Sequence, residues 1–134
     1  MIQSDEEIIS ACIEQFYDAL RMADTKRRHK EQVKARNAIA VALLDHFNSK
    51  QVAVHLSRDR STLSHMLKKH EDNMSYWEGY KDRYLLAKEI VDSLTFRHVE
   101  ETRLAYLAVR KQFIESHIRS IHRNIEIKSN QLNE

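Results

Sequence analysis

Residues 49–70, SKQVAVHLSRDRSTLSHMLKKH, decide how the chain is read. The stretch predicts two short helices joined by a tight turn: Gln51 to Leu56, then a second from about Asp59 to His70. In the second, Leu63, Met66, Leu67 and His70 share one face at helical spacing. Arg60, Ser61, Ser64, His65 and Lys68 share the other. The outward face thus carries hydrogen-bonding groups at its N-terminal end and cations at its C-terminal end. A helix with that layout suits a DNA major groove, its first turn against base edges. Val52 and Leu56 are expected to face inward, and Ala53 is small enough for a close helix crossing. Ser57 and Asp59 are both able to cap the second helix.

The totals frame this reading. A chain of 134 residues, 42% hydrophobic and 31% charged, suits one folded domain with an extension. It has no Pro and a single Gly, whereas sheets need turn residues, so the expected class is all-α. No apolar run approaches the ~20 residues of a membrane span, and MIQSDEE lacks a signal peptide's cationic start. A cytoplasmic, nucleoid-associated protein with no membrane partner is the expectation. The single Cys12 lies on an apolar face and reads as a buried structural thiol. The net charge of +2 is uneven. Residues 26–36 carry six Lys/Arg and one Glu, and residues 58–69 carry four Lys/Arg and one Asp. Those segments hold +5 and +3, leaving −6 elsewhere, a pattern that points to a polyanion partner.

Working outward, Ser4 and Glu7 form a capping box before the stripe Ile8, Ile9, Cys12, Ile13, Phe16 and Leu20, which predicts a helix from Asp5 to Arg21. A polar, basic loop over 23–30 follows. A helix starting near Lys30 to Lys34 then carries Ile39, Ala40, Leu43, Leu44 and Phe47 to a stop at Asn48 and Ser49. Beyond His70, EDNMS reads as a connector, and Ser75 with Glu78 as the box opening another helix along Trp77, Tyr80, Tyr84, Ala87, Val91 and Leu94. A last helix is expected from about residue 95 to Lys128. Its stripe is Leu104, Leu107, Ile114, Ile118, Ile121 and Ile125, with Lys111 in an apolar slot and Tyr106, Val109 and Phe113 beside it. At 1.5 Å per residue it spans roughly 45–50 Å, so it should fold back as a hairpin or reach another chain.

From Arg58 to Lys69, RDRSTLSHMLKK resembles the C-terminal DNA-binding domain of the bacterial replication initiator DnaA, whose signature runs roughly G-R-D-H-[ST]-T-V-x-H-A-x-[RK]-K. Arg58, Asp59, Ser61, Thr62, His65, Lys68 and Lys69 match it, while Arg60 stands for the family's His and Ser57 for its Gly. The resemblance extends to IISACIEQFYDAL and to KRRHKEQVKARNAIAVALLDHF, where Arg36 and Asn37 fall at the Arg-Gln pair and Ala35 stands for a Pro. It covers about residues 5–94 and includes no ATPase domain. It implies a helix-turn-helix domain of Trp-repressor-like type over 1–94; the helical extension over 95–134 lies outside the resemblance. It further implies binding of double-stranded DNA. Asp59, Arg60, Ser61, Thr62 and His65 become the base readers and Arg36 the minor-groove residue. Lys26, Arg27, Arg28, Arg58, Lys68 and Lys69 become the phosphate contacts. Arg at position 60 favours a bidentate contact to guanine, so the target should differ from the initiator's.

The plainer alternatives are structural. A basic run is often a solvated face, and Ser61 and Thr62 are common capping residues. None of the eight His forms an i, i+4 pair with another His or with Cys12, so no metal or other cofactor is expected. No nucleophile sits beside a base, so no enzyme is expected. Trp77, Tyr80 and Tyr84 at helical spacing read as core. The isoleucine stripe packs either on this chain's own helices or, in a homodimer through residues 95–128, on a second copy. The leading expectation is a sequence-specific DNA-binding protein acting in transcription regulation or DNA replication, in the setting of a mobile element. The alternatives are a helical adaptor or assembly protein working through its C-terminal helix, and a single-strand or RNA binder using the basic loop.

Overall fold

Ser4 starts the first helix by accepting a hydrogen bond from the Glu7 backbone N–H at 3.3 Å, with Asp5, Glu6 and Glu7 placed favourably against the helix dipole. The computed structural model describes residues 4–22 and 28–132. They form five α-helices: α1 Asp5–Leu20, α2 Lys30–Leu44, α3 Ser49–Leu56, α4 Arg60–Tyr76 and α5 Tyr80–Leu132. No strand occurs among the described residues, as the near absence of Gly and Pro requires. None of these helices is long and apolar enough to cross a membrane. The chain divides into two units, residues 1–98 and 99–134.

In the first unit α2 is the central element, with contacts to α1, α3 and α4. Nearly its whole circumference is enclosed, from Lys34 through Leu43. Ile8, Ile9, Cys12 and Phe16 of α1 meet Ala38, Ile39 and Leu43 of α2, Val52 of α3, Leu63 of α4 and Tyr80, Ala87 and Val91 of α5 in one core. Cys12 is fully buried, and burial pushes its thiol up to about 11, far from the thiolate that reactivity needs. α2 ends at Leu44, earlier than the expected stop at Asn48 and Ser49. Asn48 instead opens α3 with a full capping box: its side chain accepts from Gln51 N at 2.9 Å, and the Gln51 side chain accepts from Asn48 N at 3.3 Å.

Two further boundaries differ from expectation. α4 does not stop at His70 but runs through EDNMS to Tyr76, because that segment contains no residue that breaks a helix. Ser75 therefore lies inside α4 and does not cap a new helix. The turn comes at Trp77–Gly79, where Gly79 adopts φ +82°, a left-handed angle that an L side chain resists. After it, the two expected helices are one, since no Gly or Pro interrupts residues 80–132 and no hairpin forms. The aromatic stripe is core, as expected. Tyr80 is fully buried, stacks between Trp77 at 5.7 Å and Tyr84 at 6.4 Å, and shares a 2.7 Å hydrogen bond with His70 Nδ1.

Polar ties fasten the first part of α5 to α2 and to the turn that follows it. Glu31 accepts from Lys34 Nζ at 3.2 Å and from Arg83 Nη2 at 3.0 Å. Asp92 pairs with His46 Nε2 at 2.8 Å and Lys88 Nζ at 3.1 Å. Both carboxyls are held below their ordinary range, Glu31 chiefly by the Lys34 hydrogen bond and Asp92 chiefly by that of His46.

In the second unit, residues 99–132 of α5 are exposed except for partly covered Glu100 and Ala105. Leu104, Leu107, Ile114, Ile118, Ile121 and Ile125 retain 44–62% of their surface in solvent.

Candidate nucleic-acid interface

α3 and α4 are joined by Ser57, Arg58 and Asp59. Ser57 is the left-handed residue that closes α3, at φ 53°, and its N–H together with that of Arg58 returns to carbonyls of α3. Asp59, in extended conformation, is the N-cap of α4. Between the two expected capping residues, Asp59 thus holds the position and Ser57 ends the preceding helix. The Asp59 side chain makes no capping hydrogen bond, so its carboxylate is exposed at the head of α4 and is not consumed by the backbone.

From that cap the periodicity of α4 sorts its side chains. Leu63 and Met66 are buried and His70 is half-buried against Tyr80 and Tyr84. Arg60, Ser61, Ser64, His65, Lys68 and Lys69 are exposed. Thr62 is half-buried at the margin. Arg58 is also half-buried, with its Nε enclosed and without a hydrogen-bond partner. Leu67, expected on the core face, is 51% exposed, because it lies at the edge of the buried sector nearest Arg60. Beyond Lys69 the longer α4 exposes Glu71 and Asp72, so the cationic face is followed within one turn by an acidic one.

The basic run before α2 divides in a way its composition conceals. Lys26 and Arg27 lie outside the described residues. Arg28 and Lys30 are exposed. Lys34 is 8% exposed and engaged with Glu31, its ammonium 5.8 Å from the centre of the Trp77 ring. Arg36 is 5% exposed. The folded chain therefore does not present Arg36 on its surface, where the resemblance expects a minor-groove residue. The physical reason is that α2 is enclosed on nearly every side, and Arg36 falls between core residues Ala35 and Ala38. Half of the four described cations in this run serve the fold.

Two exposed polar residues were given no DNA contact in the sequence-based site, Ser64 although it was already placed on the outward face. Ser64 stands on the exposed face between Arg60 and Lys68, and Lys50 is exposed in the first turn of α3. For Ser64 the helical spacing alone was a sufficient signal. For Lys50 only its nearness to the turn would have pointed there. Compared with known protein families, curated proteins and solved structures, the chain gives no significant match.

Proposed function

We propose that the protein binds double-stranded DNA sequence-specifically, with the first turns of α4 in the major groove, as a transcriptional regulator or replication accessory factor. One observation carries this reading. α4 is anchored by Leu63 and Met66 on one side and presents Arg60, Ser61, Ser64, His65, Lys68 and Lys69 on the other. Its cap carboxylate at Asp59 is unspent. Those groups include a bidentate guanidinium, hydroxyls and an imidazole for base edges, followed by ammonium groups for phosphates. Arg28, Lys30 and Lys50 are further exposed cations available to the backbone.

The acidic pair Glu71 and Asp72 bounds the contact. Carboxylates against phosphates are repelled, so the helix should leave the DNA after Lys69. The likeness of residues 58–69 to the initiator's signature supports the same reading, and it makes Arg60 the point of altered specificity. Arg36, enclosed in the unbound fold, is not assigned a DNA contact.

The test is selection of bound sites from a random duplex library at moderate salt. An enriched motif is expected. Equal binding to every duplex would overturn the proposal. A helical adaptor is the second reading, favoured by the exposed apolar side chains of α5 between Leu104 and Ile125. It predicts no enriched motif.

A further inference from the structure

We infer that residues 104–128 of α5 pair with the same segment of a second copy as an antiparallel two-stranded coiled coil centred near Ser116. The inference is independent of what α4 binds. Leu104, Leu107, Lys111, Ile114, Ile118, Ile121, Ile125 and Lys128 recur at alternating spacings of three and four, the a and d positions of a heptad. The six apolar members are 44–62% exposed, so the seam is open among the described residues. Burying them on two copies removes on the order of 1,100 Å² of surface, near the lower limit of a stable, specific interface. Lysine stems and flanking residues add to that.

The two lysines in the seam choose the orientation. A parallel pair sets a against a and d against d. It would stack Lys111 on Lys111 and Lys128 on Lys128, like charges at the contact line. An antiparallel pair sets a against d. In the register centred near Ser116, Ile114 meets Ile118, Leu107 meets Ile125, Lys111 meets Ile121 and Leu104 meets Lys128. The two Lys111 residues are then about 15 Å apart along the axis. Sliding one heptad in one direction brings them within about 5 Å along the axis. Sliding in the other sets Lys111 against Lys128. Only the central register separates all four cations.

The rim does not reverse this choice. A parallel pair would gain Arg110 with Glu115 between copies, a solvent-exposed pair of small value. Glu115 already lies 3.9 Å from Lys111 of its own helix, which draws that ammonium out of the seam toward water. The antiparallel rim sets Glu115 against His122.

Cysteine crosslinking in the full chain tests both orientation and register. Ile114→Cys and Ile118→Cys are prepared separately, and each is oxidised alone and after mixing. Native Cys12 is fully buried and does not compete. A covalent dimer is expected in the mixture and in neither variant by itself, because residue 114 faces residue 118 and never its own equivalent. Crosslinking of either variant alone means a parallel pair, and no crosslink in any sample means no such register; both overturn the inference. Sedimentation equilibrium of the unmodified chain should give twice its 15.9 kDa mass, and one or four chain masses would equally overturn it. No DNA enters these measurements, so their outcome stands apart from that of site selection.

Discussion

Gly79 shows how one backbone angle redirects the chain. At φ +82° it turns α4 into α5, and a Cβ there would stand 3.4 Å from Lys34 Nζ. The space is tolerable but the angle is not, so Gly79→Ala should cost about 1–2 kcal/mol, read as a lower urea midpoint with unchanged slope. In the sequence this glycine had no assigned role, because its neighbours Ser75 and Glu78 imitate a helix start. The proposed site divides in a similar way. The exposed set from Arg60 to Lys69 was legible from periodicity alone, since one buried stripe dictates its opposite. The burial of Lys34 and Arg36 was not, because charge reports a cost of burial and not whether partners meet it. Two substitutions separate the roles on α4. Arg60→Ala should relax preference at one base position by ~1–3 kcal/mol. Lys68→Ala should weaken all duplexes alike and lower the salt dependence by about one phosphate contact. Titrations against matched and scrambled duplexes at several salt concentrations distinguish the two patterns.

Among the elements, α3 depends most on its ends. Eight residues are too few to hold a helix in isolation, so it relies on packing by Val52, Ala53 and Leu56 and on the Asn48–Gln51 box. Asn48→Ala should destabilise the domain by ~1 kcal/mol. Hydrogen exchange should then quicken first in α3, and uniform quickening across the unit would argue against a local role for the cap. α5 depends on the opposite property, an absence of interruption. Nothing between Tyr80 and Leu132 stops a helix once begun, so the two expected helices merge. Its first part is held by Tyr80, Ala87 and Val91, while the stripe beyond residue 99 is exposed.

At the scale of the whole molecule, the polar ties that join α2 and the turn after it to α5 set an acid limit on the first unit. Glu31 and Asp92 both have depressed folded-state pKa values. Their contribution to stability is present above the ordinary carboxylate pKa and is lost as pH falls through the lower folded value. Melting temperature should therefore drop as pH falls below about 4. Glu31→Gln with Asp92→Asn should flatten that dependence while lowering stability at pH 7. Both carboxylates are more than two-fifths exposed, so added salt should weaken the effect. An unchanged pH profile in the double variant would remove these ties as its source.

By itself the sequence determined the helical class, the core stripe of α1, the anchors Leu63 and Met66 of α4, the aromatic packing at Tyr80 and the outward set on α4. Each of these follows from local periodicity and from turn residues that are present or missing. Only the tertiary structure decided that Asp59 heads α4, that Gly79 and not Ser75 marks the turn, and that Arg36 is enclosed. Those outcomes depend on which surfaces meet, and residues distant along the chain settle that jointly: α2 can be enclosed only once α1, α3 and α4 have surrounded it.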